Sequence, residues 1–596
     1  MNNQDYNTLV NETFCSNAIR SVMLIDDDFI TYSNSIKFLI EGNNIEEKKI
    51  DGSKRAAQLE KFFQEKNILC DINDGSVNFD IERIKKSDLI IIDYQLESNS
   101  SRKTLETLYN LKNSPQFNLI VVYTNEVLDK AWKEICTCFA NLKPSSIIIN
   151  EINDFDISQY WDEIIVPNIN NNGDFSLTEP ESVNSLKGTY PTARLSTLLF
   201  SDPNFNKNSV LINNKSKIID AIISYNLDKY KILDFKPEED SNVVITGDCD
   251  EYKWIKSGNV FISLFNKSKE LTINEAEEIW NNLVNSIYKW RPSYYNIIKS
   301  EIQNKIEAEA LSFEVHLAND VYGQAAWLNE ILKNTDTETR KEKIDFIFRN
   351  IAEELYFKLR ENSDLNNFID NVFTHFENVF NSKNFEDNIE NNRLRFCAES
   401  MNLTYGDACN NDMYHALNMN TSSRNYREKY LTTGTILYNE ENNEWYLCVS
   451  AACDMVPSQG NDAYHKRLKP HRLVQMLRLF ECDATNAISN ASHSKYIYVY
   501  EKSLTPPRKY YSVTNPTTNL PQIDYIVVLN HTTQKNVRSV QAVVLNANGN
   551  EVIPTTITLK LKSQLRTGYA ERYQLIASQY GGRIGVDYFG INIIDE

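Results

Sequence analysis

Carboxylates and one hydroxyl stand where short apolar runs of this sequence end. Asp26, Asp27 and Asp28 follow SVMLI at residues 21–25, Asp93 follows DLIII at 88–92, and Thr124 follows NLIVVY at 118–123. Where such runs are neighbouring strands of an open parallel sheet, the loops beyond their carboxyl ends converge on one edge and bring these groups together. Carboxylates held that close repel one another unless a cation lies between them, and a cluster of hard oxygen donors suits magnesium. A divalent ion is implied. Taken singly, an Asp run is a common solvated turn or helix start, because Asp caps helices well. The ordered placement of all the groups carries the reading.

The elements needed to hold them are visible in the pattern. Apolar runs alternate with helical periodicity, predicting strands at 21–25, 68–72, 88–92, 118–123 and 146–149 and helices at 29–40, 56–66, 102–111 and 127–139. Residues 18–165 therefore read as a doubly wound parallel domain of five strands. Strands expected at 243–245, 254–255 and 259–265, with loops at 168–174 and 204–214, predict a small mixed α/β module over 166–272. Residues 273–417 carry apolar positions at helical spacing, as in Ile344, Ile347, Ile351 and Leu355, and read as a helical connector or bundle. The polar run NMNTSSRN at 418–425 reads as a linker. Strands at 446–450, 495–500, 525–529, 539–545 and 555–561, closed by a helix at 563–579, make 425–596 a strand-rich α+β domain. The fold class is multidomain α/β.

Size and charge bound the partners. A chain of 596 residues is too long for one module. With 62 Lys plus Arg against 81 Asp plus Glu, its net charge of -19 disfavours coating of nucleic acid. The charge is uneven: residues 425–596 hold 18 basic and 15 acidic side chains, or +3, which leaves -22 for the first 424. Lacking a long apolar run and a basic-then-apolar start, the chain is expected in the cytoplasm, away from membranes. Ten cysteines without a CxxC pair read as reduced thiols.

Residues 18–150 resemble the receiver domain of two-component response regulators, through VMLIDDD, DLIIIDYQLE and LIVVYTN, with Thr124 31 positions after Asp93. The resemblance implies that Asp26 and Asp27, with Asp93, hold Mg²⁺. It also implies that Asp93 takes a phosphoryl group from a phosphohistidine on a histidine kinase or other phosphodonor protein, and that Thr124 binds a phosphoryl oxygen. The family's lysine is assigned to Lys143 in LKPS, although that residue precedes SSIII instead of following it. The sequence departs from the family in a longer stretch around 43–54, in Glu97 where a proline is usual, and in the lack of an evident aromatic switch residue. A receiver joined to a long unassigned region also resembles, in architecture, the receiver proteins of two-component-like phage defence systems such as Detocs. Output is expected through binding of a signalling or effector protein or through phosphate buffering, with room for a homo-oligomer. The alternative is a pseudo-receiver scaffold without phosphotransfer.

A third reading places an enzyme or zinc site around Cys453 and His465, with Asp454, His471 and Cys482 nearby, though the spacing matches no standard zinc pattern and buried structural cysteine is the blander reading. Lys466, Arg467, Lys469, Arg472 and Arg478 form a basic run that reads as a solvated helix face, with docking of a nucleic-acid phosphate or an acidic partner as the alternative. Arg566, Arg572 and Arg583 near the end, with Gly581 and Gly582 as a helix stop, suit capping as well as phosphate binding. No Walker loop, GxGxxG, HExxH or GxSxG appears.

Overall fold

The computed structural model describes residues 3–581 apart from 42–46, 76–80, 97–99, 113, 115–116, 141, 234–244, 269–271, 310–319, 334–336, 384–387, 458–463, 502–507, 535–536 and 550. The chain forms two compact units, Met1–Asn384 and Phe385–Glu596.

In the first unit, β1 (Ser21–Ile25), β2 (Leu69–Asn73), β3 (Leu89–Asp93) and β4 (Asn118–Thr124) are parallel, as the apolar runs predict. β3 and β4 are buried throughout because both faces are covered. Alternate residues divide between two cores. Ile90, Ile92, Ile120 and Val122 face the helices Arg102–Lys112 and Leu128–Ala140, while Leu89, Ile91, Leu119 and Val121 face Glu47–Glu65 and Glu275–Trp290.

The expected fifth strand at 146–149 is a helix, Ser145–Ile152. Its isoleucines favour a strand by type, but Pro144 stands at its start and left-handed Asn153 at its end. Ile148, Ile149 and Ile152 then pack on one side among apolar residues that include Ile218 and Ile222 of Lys215–Leu227. The position beside β4 is taken instead by β7 (Val260–Asn266), parallel to β4 with Thr124 opposite Asn266. β6 (Trp254–Ser257) and β5 (Thr246–Asp248) extend the sheet antiparallel, giving seven strands in the order β2-β1-β3-β4-β7-β6-β5. These strands belong to the first sheet rather than to a mixed module of their own. The described chain between β4 and Tyr230 is mostly helical, including Pro203–Asn206 and Ser209–Asn213 where loops were expected, and it packs on the same core. Residues 243–244 of the expected first strand there lie outside the described residues.

The helical connector divides between the units. Helices from Glu275–Trp290 to Ser363–Asn381 lie in the first, and Ile389–Ser400 and Asp407–Ser422 lie in the second. The expected linker at 418–425 is the end of Asp407–Ser422 running directly into β8 (Ser423–Asn425).

The second unit is a barrel. β9 (Thr435–Asn439), β10 (Glu444–Cys448), β11 (Arg472–Glu481), β14 (Ile523–Val528), β15 (Ser539–Asn548) and β16 (Glu551–Leu565) are antiparallel in the order β10-β9-β16-β15-β14-β11, and the pairing of β10 with β11 closes the ring. A register shift between Leu561 and Ser563 lets the long β16 pair with β9 and β8. Leu437, Cys448, Met476, Ile526, Ala542 and Leu559 fill the interior. Ile436, Leu447, Leu477 and Leu479 point outward, under β12 (Tyr496–Ile497), β13 (Tyr511–Ser512) and the helix Tyr569–Gly581. The basic run expected on a helix face is one turn, His465–Leu468, followed by β11, where Arg472 is buried and Arg478 pairs with Glu444. Gly582, Arg583 and the residues after them lie outside the described residues.

Candidate functional site

Register alone brings the acidic groups together. Ile25 lies opposite Ile92, so the residues that follow, Asp26 and Asp93, leave adjacent parallel strands at one level. Carboxylate oxygens of Asp26, Asp27 and Asp93 all lie within 4.8 Å of one another. Asp26 and Asp93 are buried and Asp27 half-buried. The Asp28 amide donates to Asp26 Oδ1 at 2.9 Å, which fixes the turn after β1.

The counter-charge is Lys267, the residue after β7. Its ammonium donates to Asp26 Oδ2 at 2.7 Å and lies 2.9 Å from Asp93 Oδ1, with its side chain 8% exposed. Its backbone amide donates to the Thr124 carbonyl at 2.8 Å, so the sheet ladder itself sets the lysine in place. Asn266 Nδ2 adds bonds to the carbonyls of Thr124 at 3.2 Å and Glu126 at 2.9 Å. Thr124 is buried, and its hydroxyl oxygen accepts from the Glu126 amide at 3.0 Å. Lys143, assigned from sequence as the family's lysine, instead pairs with Glu151 at the exposed start of the inserted helices. Glu97 lies outside the described residues.

Electrostatics follow from this packing. Burial raises the Asp93 carboxyl from 3.8 to about 6, the Asp26 and Asp27 charges push the same way, and Lys267 opposes them. Burial works to lower the Lys267 ammonium, but Asp26 and Asp93 outweigh it and hold it raised, hence charged. Three carboxylates against one ammonium leave negative charge in a buried pocket, and that oxygen donor set fits a hard divalent cation.

Behind the lysine lies a second layer. The Tyr123 ring is 5.3 Å from the Lys267 ammonium and stacks on Phe265 at 6.4 Å between centroids. Arg55, on Glu47–Glu65, donates from Nη1 to the Tyr123 hydroxyl at 2.7 Å and to Glu275 Oε1 at 2.9 Å, and from Nη2 to the carbonyl of Ser268. Glu275, which opens the helix Glu275–Trp290, also accepts from the Ser268 amide at 2.9 Å. The sequence reading missed Lys267, Arg55, Tyr123 and Glu275. One signal was present: NVFISLFNK is an apolar run like β3 and β4 that ends in a lysine.

The other candidates do not assemble in this way. Cys453 is exposed and lies 3.4 Å from Asp454 Oδ1, and His471 Nδ1 accepts from the Asn530 amide. Among the described residues, Asp26, Asp27 and Asp93 form the one cluster of metal-ligand type, and the His465 side chain lies outside them.

Residues 18–174 match the family model of the response receiver domain. The amino-terminal region is thus a receiver domain, the class of module that points to two-component-type signalling. The match ends before β7 and Lys267, which the fold adds from further along the chain. Comparison with curated proteins and with solved structures gave no match. Among the described residues, no helix is long and apolar enough to cross a membrane.

Proposed function

We propose that the first unit is a phosphoryl-accepting receiver whose acceptor is Asp93. In this reading an Asp93 carboxylate oxygen attacks phosphorus of a phosphohistidine on a histidine kinase or phosphotransfer partner. A P–O bond forms, the P–N bond breaks, and the imidazole keeps the electron pair and takes up a proton. Asp26, Asp27 and Asp93 would hold Mg²⁺, which when bound supplies the positive charge that phosphoryl oxygens need. Lys267 donates to a phosphoryl oxygen by turning from the Asp93 carboxylate, and the Thr124 hydroxyl binds a second. The supporting observation is the Lys267 ammonium lying between Asp26 and Asp93, at 2.7 and 2.9 Å. Output is proposed through protein binding or phosphate buffering. The architectural likeness suggests antiviral defence, in which case Asp93→Asn should remove protection on phage challenge.

One observation favours a second reading, the pseudo-receiver scaffold. The same ammonium partly neutralises the carboxylates and could stand in for the metal as a purely structural ion pair. Beryllofluoride with Mg²⁺ separates the two. Uptake by wild type that is lost in Asp93→Asn and weakened in Lys267→Ala supports the phosphoacceptor. Failure of wild type to bind it leaves the scaffold.

A further inference from the structure

The barrel unit contains a cleft of about 700 Å³ that the receiver chemistry does not use. It is lined by residues of β8, β9, β10 and β16 and of the chain at 499–501. Tyr438 and Trp445 stand in it as cross-strand partners, their ring centroids 4.6 Å apart. Tyr511 backs the Trp445 ring at 5.0 Å and holds it from behind. Tyr500 and buried Tyr426 add two more rings.

Cations surround this aromatic wall. The Lys562 ammonium lies 5.4 Å from the Tyr438 ring and the Arg538 guanidinium 5.9 Å from the Tyr426 ring, and both side chains are exposed enough to turn toward a ligand. Lys509 lies at the same cleft, 3.3 Å from Glu481. Among the described lining residues, the one acidic side chain is Glu501. Tyr426 is 3% exposed and belongs to the barrel core, so it supports the cleft from beneath. Charge agrees as well: this part of the chain is net positive while the remainder is strongly acidic.

Rings beside cations, with one carboxylate in the same cleft, select a ligand that has a planar ring, anionic oxygens and hydroxyls. We propose that this cleft binds a free nucleoside phosphate, its base against Tyr438 and Trp445, its phosphate on Lys562, Arg538 and Lys509, and its sugar or base edge on Glu501.

The test uses the full chain. AMP, ATP and GTP are titrated by equilibrium dialysis, with the tryptophan fluorescence change that Trp445→Phe removes as a second readout. Inorganic phosphate, adenosine and a short single-stranded oligonucleotide serve as comparisons. The expected result is saturable binding of at least one mononucleotide, weakened roughly tenfold or more by Lys562→Glu and by Tyr438→Ala, as for loss of a charge-assisted or stacking contact. Arg538→Gln gives a second exposed-site variant if either of these fails to fold. Asp93→Asn should leave the affinity unchanged. No saturation by a few millimolar nucleotide overturns the proposal. So does inorganic phosphate binding as tightly as the nucleotides, which would make this a plain anion site. Binding of the oligonucleotide alone also overturns it and points to a nucleic-acid surface.

Discussion

At Asp93, burial and charge make the folded protein hold a proton more tightly than the unfolded chain does. Its carboxyl rises from 3.8 to about 6, so between those values the native state binds more protons, and stability falls as pH rises until it levels off above about 6. Asp93→Asn should flatten that slope and raise metal-free stability at pH 7 by on the order of 1 kcal/mol. Chemical denaturation with and without Mg²⁺ checks this, because the metal should favour wild type and shrink the difference. Lys267→Met should do the reverse. It leaves Asp26 and Asp93 buried without their ammonium, a loss of about 3 kcal/mol or more, and Mg²⁺ should restore part of it. A metal-independent melting point in this variant would count against the cation site. Asp26, Asp27, Asp93 and Thr124 were legible in sequence because each stands at or just past the end of an apolar run. Lys267 was not, because it reaches the site by strand pairing across a long helical excursion, and the nearby Lys143 in LKPS offered a local substitute.

Among the elements, Glu275–Trp290 is tied to the site through its first residue. Arg55 joins Glu275 to Tyr123, Tyr123 lies against Lys267, and the Arg55 and Glu275 side chains are 15% and 4% exposed. A change in what Lys267 holds should therefore reach this helix. With beryllofluoride and Mg²⁺, hydrogen exchange over 275–290 should change in wild type. In Tyr123→Phe, which keeps the ring and removes the bond from Arg55, ligand uptake should persist while that response weakens. An equal response in both would disconnect the helix from the site. Elements formed from local pattern were readable, as in β1, β3, β4 and parts of β15 and β16, although the helix expected from 563 begins at Tyr569, after β16. Ser145–Ile152 was not, since a run of isoleucines has the composition of a strand and becomes a helix through Pro144 and the core it packs on.

Across the whole molecule, His415 and His531 in the barrel unit should answer acid in the opposite direction to Asp93. In the barrel unit, burial lowers His415 and His531 to about 4, where their rings face the carbonyls of Lys509 and Leu431. The unfolded chain takes up these protons near 6.5, so the stability they contribute is present above that value and is lost as pH falls toward 4. Over much of the same range, protonation of Asp93 relieves the first unit. Calorimetry from pH 7 to pH 4.5 should show the barrel transition moving down, and His415→Gln with His531→Gln should reduce the movement. The order of strands in the first sheet has a further consequence, for the protein during its synthesis. At roughly 5–20 residues a second, about ten seconds pass between the emergence of Thr124 and that of Val260, and through that interval β4 offers an open, apolar edge to any other chain nearby. A nascent chain stalled at residue 174 should accordingly recruit holdase chaperones, and one that has released Lys267 should let them go.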